Sequence, residues 1–270
     1  LFKLIFMKAD LHIALIQSEL VWENATQNRV NFTSKIDAIT SDVDMIILPE
    51  MFTTGFSMSP KLLAEKMSGE TLQWMKRMAA LKDAALVGSI IICEENKYFN
   101  RMLFVHPSGI VESYDKRHAF TLAGEDKEYT TGNSKLIVDF RGWKICPLIC
   151  YDLRFPVWSR NTENYDVLLY SANWPTPRIH AWDSLLKARA IENMSYCVGV
   201  NRVGVDRNEY NYSGNSIVYD YLGAALTPIC ENEERVLFAI LNKERLKSVR
   251  NKLNFLNDKD TFTIKKKSLK

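Results

Sequence analysis

The sequence has few cysteines and no long apolar run. Its 270 residues contain five cysteines, none of them in a Cys-x-x-Cys pair. Cysteines this sparse exclude a disulfide scaffold and a zinc framework, and they fit a reducing compartment. No apolar segment approaches the roughly 20 residues that a membrane span needs. We therefore expect a cytoplasmic protein without a membrane anchor.

Excess charge and histidine are also scarce. The formal net charge is +3, and the basic cluster Lys265-Lys266-Lys267 at the end of the chain is interpreted as a solvated tail. This balance makes nucleic acid an unexpected partner. The four histidines, His12, His106, His118 and His180, show no ligand spacing. No metal site is therefore expected.

The composition is that of an α/β globular protein, 47% hydrophobic and 25% charged. We expect a single domain over residues 11–270, preceded by an N-terminal extension over residues 1–10 in which Met7 is a candidate natural start. Strand-helix units mixed with a meander predict a mixed sheet with helices on its outer faces.

Apolar runs predict strands at 11–17, 45–48, 86–92, 102–105, 109–114, 136–138, 144–149 and 167–171, from 196, and at 217–219 and 236–241. Helical periodicity predicts a helix over 24–39, with Val30, Ile36 and Ile39 inward. A second helix is predicted over 60–82, around a Ser-Gly-Glu interruption and with Leu62 among its apolar residues. A third is predicted over 182–194, with Leu185, Leu186 and Ile191 inward.

Cys150 stands where the apolar run 144–149 ends and a polar Tyr-Asp-Leu-Arg segment begins. This pattern predicts a strand that turns into a helix at the thiol. Backbone N–H groups at such a turn favour a thiolate and can hold an oxyanion. A lone cysteine is more often a core residue, so only other residues in the chain can decide its role.

Glu50 and Lys116 are two further candidates. Glu50 follows a buried strand and Pro49, at the edge where open α/β sheets place their sites, although a helix cap would use the same position. Lys116 lies in a dense charge cluster directly after a predicted strand. An exposed turn with surface ion pairs is the alternative for that segment.

The segments around these residues resemble the nitrilase superfamily of carbon–nitrogen hydrolases, which carries a Glu-Lys-Cys triad. The matching segments, in order, are Leu48-Pro49-Glu50-Met51-Phe52, Tyr114-Asp115-Lys116-Arg117-His118 and Cys150-Tyr151-Asp152-Leu153-Arg154-Phe155-Pro156. The resemblance runs over residues 12–241. The family's further glutamate falls on Glu125, ahead of Tyr129 and Gly132, with the nearby Glu128 as the alternative.

The resemblance implies an α/β fold, a four-layer αββα sandwich of the nitrilase type, with mixed central sheets and helices on the outer faces. It attributes the four layers to two protomers that pack helices across a shared face, and so implies at least a homodimer. No metal or cofactor is implied.

The resemblance also implies roles for the matching residues. Cys150 attacks an amide carbon and forms a thioester, while Glu50 serves as the base. Lys116 and the backbone N–H of Tyr151 hold the oxyanion. A carboxylate acts as a base near neutral pH when burial or a like charge raises its pKa. Glu125 would be such a neighbour and would also orient Lys116.

Residues 172–175 and 201–204 resemble the omega-amidase branch, which removes the terminal amide from dicarboxylate monoamides such as 2-oxoglutaramate or succinamate. Three residues are predicted to bind this small-molecule substrate: Phe52, Trp174 and Arg178. Arg178 could clamp a substrate carboxylate. Plain packing is the alternative for Trp174, and a solvated surface position for Arg178.

Other functions leave different marks in a sequence. A nitrilase or an N-carbamoyl amine hydrolase would use the same triad. A non-catalytic binding member of the fold would lack a triad residue, and none is lost here. A papain-like enzyme would need a local cysteine signature and a paired histidine, which are missing.

Overall fold

The computed structural model describes residues 10–265. The predicted N-terminal extension, apart from Asp10, and all but Lys265 of the basic cluster at 265–267 lie outside the described residues. The strands are β1 (Asp10–Gln17), β2 (Met45–Ile47), β3 (Ala85–Glu94), β4 (Lys97–Val105), β5 (Val111–Asp115), β6 (Val138–Phe140), β7 (Trp143–Ile149), β8 (Val167–Ala172), β9 (Tyr196–Asn201), β10 (Val203–Val205), β11 (Asn211–Ser213), β12 (Ile217–Tyr219) and β13 (Arg235–Asn242). The α-helices are α1 (Ala25–Asp37), α2 (Pro60–Leu63), α3 (Glu70–Lys82), α4 (Glu125–Glu128), α5 (Pro156–Ser159), α6 (Ile179–Asn193) and α7 (Lys243–Leu253).

The strands form two mixed sheets and a small ribbon. The first sheet has the order β13-β1-β2-β3-β4-β5, and the second has the order β12-β9-β8-β7-β6. In the first sheet β1, β2 and β3 are parallel, and in the second β7, β8 and β9 are parallel. The remaining neighbours within the two sheets pair antiparallel. The mixed architecture predicted from the sequence is confirmed.

Alternating side chains on β1 show how the layers stack. Leu11, Ile13 and Leu15 belong to a core that both sheets share. Ala14 and Ile16 point the other way and pack with residues of α1 and α3. This two-residue period is expected of a strand with both faces covered, and each fully buried Leu or Ile contributes about 1.5–3 kcal/mol.

Helix α6 covers the outer face of the second sheet through Trp182, Leu186 and Ala190. The order of layers is therefore helices, first sheet, second sheet, helix. All four layers come from one chain. The expectation that two protomers are needed to form the sandwich is wrong, because each sheet already carries its own covering helices.

Helix α1 follows the predicted cap, since the side chain of Asn24 accepts a hydrogen bond from the backbone N–H of Gln27 at 3.0 Å. Its inward face is only partly as predicted. Phe32 and Ile36 are buried, whereas Val30 is 54% exposed. The spacing of apolar residues does not show which side of a helix packs against the protein. The prediction that Val30 faces inward was therefore wrong.

The helix predicted over 60–82 is two helices, α2 and α3. Glu65 lies between the two helices and forms a parallel bridge with Ile92 of β3, which a helical conformation would not permit. Leu62 is 86% exposed, so its assignment to an apolar face was wrong. Ile191 on α6 was also predicted inward and is instead 47% exposed.

The strand ends determine where functional side chains can meet. Glu50 follows β2 and Lys116 follows β5, two strands that run in the same direction in the first sheet. Cys150 follows β7 and Asn173 follows β8 in the second sheet. The packed sheets therefore bring the carboxyl ends of four strands together, where open α/β folds place their sites.

Candidate active site

Cys150 begins a tight 3₁₀ turn over Cys150–Arg154, directly after β7 ends at Ile149. Its φ is +43°, in the left-handed region that a side chain with a Cβ rarely adopts. Such a conformation costs about 1–2 kcal/mol for an L-residue. The predicted placement of the thiol at a strand end is confirmed, and the sharp turn presents Sγ to a cavity.

Lys116 joins two buried carboxylates. Its Nζ lies 2.8 Å from Oε1 of Glu50 and 2.9 Å from both carboxylate oxygens of Glu125. The side chain of Lys116 is 3% exposed, that of Glu50 0% and that of Glu125 1%. Lys116 therefore does not lie in an exposed turn, and Glu50 is no surface helix cap. Glu128 is exposed, so Glu125 is the glutamate that joins this cluster.

Two asparagines hold the Glu50 carboxylate from other directions. Nδ2 of Asn100 donates to Oε1 at 2.7 Å, and the backbone N–H of Asn173 donates to Oε2 at 2.9 Å. Neither residue was predicted as a site residue. Asn173 could have been found from its position after β8, at the same edge as Cys150. Asn100 lies inside β4, where no local pattern distinguishes it.

The charges of the cluster set the protonation states. Burial would lower the pKa of Lys116, but Glu125 and Glu50 outweigh it and raise the pKa above its ordinary value. For the acid Glu125, burial acts in the other direction and raises the pKa, and the charge of Lys116 offsets part of that rise. The lysine is therefore a firmly protonated ammonium group.

The thiol responds in the opposite way to the sequence expectation. Burial raises the pKa of Cys150 well above its ordinary value, the charge of Glu50 raises it further, and Lys116 offsets only part of the rise. Burial and the charge of Glu50 therefore oppose the thiolate that the backbone N–H groups of the turn were expected to favour. A neighbouring base must remove the proton when the thiol reacts.

The cavity beside Cys150 has a volume of about 720 Å³. Its walls include Lys116 and Cys150, together with three further predicted residues: Tyr151, Trp174 and Arg178. Trp174 is therefore a packed residue that also faces the cavity. Arg178 lies in the cavity wall and not on an open surface.

Two arginines of this wall rest on aromatic rings. The guanidinium carbon of Arg178 lies 5.2 Å from the centre of the Phe120 ring, and that of Arg154 lies 4.9 Å from the Trp174 ring. Nε1 of Trp174 also donates to the carbonyl of Arg178 at 2.8 Å, which ties the two together. Within residues 10–265, neither guanidinium is paired with a carboxylate. Arg154 was not predicted as a site residue, although it shares the turn of Cys150.

Phe52 was predicted to bind substrate and lies elsewhere. Its ring is fully buried and packs against Phe32, with ring centres 5.4 Å apart, and against Trp74 at 5.7 Å. It belongs to the core under α1 and α3 and not to the cavity wall. Met51, between Glu50 and Phe52, has a φ of +43°, so the chain turns there. Phe52 then points to the helix-covered side of the first sheet.

Residues 10–265 contain no group of three or more His, Cys, Asp or Glu side chains placed to hold a metal ion. In the same range, no helix combines the length and the apolar character needed to cross a bilayer. All five cysteines, which lie in this range, are free thiols.

Two mixed sheets with outer helices, and a buried Glu-Lys-Glu cluster beside a thiol, define the class of protein. The family model for carbon-nitrogen hydrolases matches residues 12–251. The chain therefore belongs to the carbon–nitrogen hydrolase family, the nitrilase superfamily that the motifs indicated.

Relatives narrow the group within this family. The chain is 42% identical to "Omega-amidase YafV" of Yersinia enterocolitica over 95% of this chain and 99% of that protein. It is 30% identical to the "2-oxoglutaramate amidase" of Bacillus subtilis over 91% and 96% of the two chains. Among solved structures, XC1258 from Xanthomonas campestris, described as a CN-hydrolase superfamily protein, matches with a TM-score of 0.93 and 38% identity over 96% and 100%. The chain is thus omega-amidase-like, an enzyme that hydrolyses amide carbon–nitrogen bonds.

Proposed function

We propose that this enzyme is a cysteine-dependent omega-amidase, which releases ammonia from the terminal amide of a small dicarboxylate monoamide such as 2-oxoglutaramate or succinamate. One observation carries the proposal. The cavity is lined by Cys150 and by Lys116, the partner of the buried Glu50, and it also holds the guanidinium groups of Arg154 and Arg178, which no described carboxylate neutralises. The names of its relatives in Yersinia enterocolitica and Bacillus subtilis support the same reaction.

The first half-reaction forms a thioester. Sγ of Cys150 attacks the amide carbon while Glu50 takes the thiol proton, a step that is needed because the raised pKa of Cys150 keeps the thiol protonated. The carbonyl oxygen becomes negative and is held by the Lys116 ammonium and the backbone N–H of Tyr151. When the carbon–nitrogen bond breaks, Glu50 returns the proton to nitrogen and ammonia leaves.

The second half-reaction removes the acyl group. Water attacks the thioester carbon while Glu50 accepts its proton, and the same donors hold the new oxyanion. The carbon–sulfur bond then breaks, the proton passes to Sγ, and the dicarboxylate is released. Glu125 keeps Lys116 in place through both steps, since its two oxygens each lie 2.9 Å from Nζ.

Arg178 and Arg154 are the proposed partners of the substrate's second carboxylate. A guanidinium matches a carboxylate with two parallel hydrogen bonds, and an aromatic platform limits the orientations that the side chain must lose on binding. Glu23 and Asp206 also line the cavity, but each is engaged with a hydroxyl, that of Ser57 at 2.6 Å and that of Tyr212 at 2.8 Å. Neither carboxylate is paired with Arg154 or Arg178, so both guanidinium groups can meet a carboxylate of the substrate.

The test is ammonia release by the parent protein and by Cys150→Ala. The panel contains 2-oxoglutaramate, succinamate, the uncharged butyramide, a simple nitrile and an N-carbamoyl amino acid. We expect the two carboxylated amides to react with the highest kcat/KM and the Ala variant to be inactive on all of them. Preference for the nitrile or the carbamoyl compound would replace the substrate assignment, and activity in Cys150→Ala would refute the thioester route.

We also propose that the protein is a cytoplasmic homodimer. A reactive thiol together with four further free cysteines is suited to a reducing compartment. Apolar side chains on two outer helices, Val157 on α5 and Ile191 on α6, are 55% and 47% exposed. Such side chains are the ones that a second protomer would cover.

A further inference from the structure

Asp152 is a buried carboxylate that accepts four hydrogen bonds two residues after Cys150. Its Oδ1 accepts from the backbone N–H of His118 at 3.1 Å and lies 2.7 Å from Nδ1 of the same histidine. Its Oδ2 accepts from the hydroxyl of Tyr114 at 2.7 Å and from the backbone N–H of Ile149 at 3.1 Å. A carboxylate with no exposed surface is stable only when its oxygens are satisfied in this way.

The partners of Asp152 flank Lys116 on both sides. Tyr114 lies two residues before the lysine, at the end of β5, and His118 lies two residues after it. The carboxylate itself belongs to the turn that carries Cys150, at the end of β7. Tyr114, His118 and Asp152, the Asp152 cluster, therefore tie the lysine segment of the first sheet to the nucleophile turn of the second.

Aromatic contacts reinforce this tie from the same side. The ring of His118 stacks on Phe155, with centres 3.7 Å apart and planes inclined by 4°. Nε1 of Trp158 donates to the hydroxyl of Tyr114 at 3.0 Å. Both aromatic residues follow the nucleophile turn within eight residues of Cys150, so the lysine segment is held at two further points.

None of the three residues of the Asp152 cluster lines the cavity, whereas Lys116 and Cys150 do. The cluster therefore does not touch a substrate in the cavity, and its contacts fix where Nζ and Sγ stand relative to each other. Nδ1 of His118 must carry a proton to donate to Asp152, and both the neutral ring and the imidazolium can supply one.

We infer that His118 and Asp152 are positioning residues that hold the Lys116 ammonium where the oxyanion forms over Cys150. This inference rests on the proposed function, because it assigns the oxyanion to Lys116. A displacement of about 1 Å at a reacting centre can reduce the rate by about 10². Loss of the cluster therefore lowers kcat, while the cavity that binds the substrate is unchanged.

The first test compares His118→Ala with His118→Asn in the full-length protein, using succinamate. The side-chain N–H of asparagine can take the place of Nδ1–H, so it preserves the hydrogen bond to Asp152. We expect a kcat about 10² lower for His118→Ala with KM within about threefold of the parent, and recovery of at least tenfold in His118→Asn. Asp152→Asn is expected to match His118→Ala. Its side-chain N–H₂ would face groups that donate to the carboxylate in the parent, so at least one of these hydrogen bonds is lost.

A second measurement separates the oxyanion from the nucleophile. Methyl methanethiosulfonate reacts with Sγ by forming a disulfide and expelling methanesulfinate, while Glu50 takes the thiol proton. No oxyanion forms on a carbonyl. The rate of labelling at Cys150, followed by mass spectrometry, should stay within about twofold of the parent in His118→Ala. Equal losses of labelling and kcat, or a parallel rise in KM, would overturn the inference.

His106 provides a matched control. It also pairs with a carboxylate, Nε2 lying 2.8 Å from Oε1 of Glu112, and packs against Phe104 and Phe140, but it lies away from the cavity wall. His106→Ala should leave kcat and KM unchanged. If it lowers kcat as much as His118→Ala does, the inference fails.

The two hypotheses can fail separately. If the parent prefers another amide, a nitrile or a carbamoyl compound, the substrate assignment fails. The His118 comparison is then made on that compound, whose reaction also places negative charge on an atom facing Lys116. Loss of kcat without loss of labelling would still support the positioning role, and unchanged kcat in His118→Ala would still refute it.

Discussion

Asn173 holds Glu50 at two points. Its Nδ2 donates to the main-chain carbonyl of Glu50 at 2.6 Å, and its backbone N–H donates to Oε2 of the carboxylate at 2.9 Å. Lys116 and Asn100 bind the other oxygen. The carboxylate is therefore fixed between two sheets, with an orientation that does not depend on bound substrate. Such preorganisation lowers the reorganisation needed at the moment of reaction.

We predict that Glu50→Gln lowers kcat by about 10³ or more. The substitution removes the base, and a general base contributes about 10² to 10⁴ on its own. It also turns an amide N–H₂ toward hydrogen-bond donors that meet a carboxylate oxygen in the parent. Ammonia release from succinamate measures the effect. Glu128→Gln, at an exposed position, is the control and should match the parent. A Glu50→Gln enzyme within tenfold of the parent would exclude Glu50 as the base.

We predict that Arg178→Ala raises KM for succinamate by about 10- to 100-fold. This corresponds to the loss of a hydrogen-bonded charge pair worth about 1.5–3 kcal/mol. The uncharged butyramide should react unchanged, since it has no carboxylate to lose. Arg154→Ala should have the same selective effect, with a higher KM for succinamate and unchanged reaction of butyramide. Steady-state kinetics with both substrates provide the measurement, and an equal loss on both would argue against carboxylate recognition.

We predict that the free energy of unfolding falls as the pH rises above about 8.5, the ordinary pKa of a thiol in an unfolded chain. Burial raises the pKa of Cys146, Cys150 and Cys197 in the folded state. The folded protein therefore keeps protons that the unfolded chain releases, so each thiol removes about 1.4 kcal/mol of stability per pH unit in this range. Below that pH the contribution is fully present.

Unfolding by guanidinium chloride in the presence of reductant, at several pH values between 8 and 10, measures how the free energy of unfolding changes with pH. The double variant Cys146→Ala/Cys197→Ala should be less stable at neutral pH because it loses packed sulfur atoms, yet its stability should decline less steeply with pH. An identical slope in parent and double variant would show that the buried thiols do not govern alkaline stability.

We predict that the protein sediments with twice its chain mass of 31.1 kDa. Ile191→Asp should shift the equilibrium toward the monomer, because it places a charge on the half-exposed apolar face of α6. Lys187→Asp, on the same helix, tests whether charge reversal alone has this effect. Sedimentation equilibrium at micromolar concentrations gives the masses. A parent that is monomeric at these concentrations contradicts the proposed dimer.

The sequence predicted the strands well because most of them are covered on both faces. The run Val167–Ala172 is buried at every position, and such a run can hardly be anything but a central strand. Helix faces were harder to predict. Val30, Leu62 and Ile191 fit an apolar period but face solvent, since the side that a helix buries depends on what packs against it.

The site followed a similar division. Glu50, Lys116 and Cys150 could be selected as candidates from motifs at strand ends, and the structure brings Nζ of Lys116 to 2.8 Å from Oε1 of Glu50. The contribution of Asn100 depends on a strand partner that lies far away in sequence, and no local pattern reveals it. The raised pKa of the Cys150 thiol could not be predicted either, because the burial that causes it arises only when the sheets pack.

The division of the site between two sheets has a consequence for folding. Residues 10–131 contain Glu50, Lys116 and Glu125, whereas Cys150 and Asn173 lie in the rest of the chain. Neither portion can form the proposed reaction centre alone, so activity is expected to report on the docking of the two portions. During refolding, ammonia release should return together with the last cooperative phase of tertiary structure and not with the earlier appearance of strands. A chain cut between these portions should regain activity only when both pieces associate.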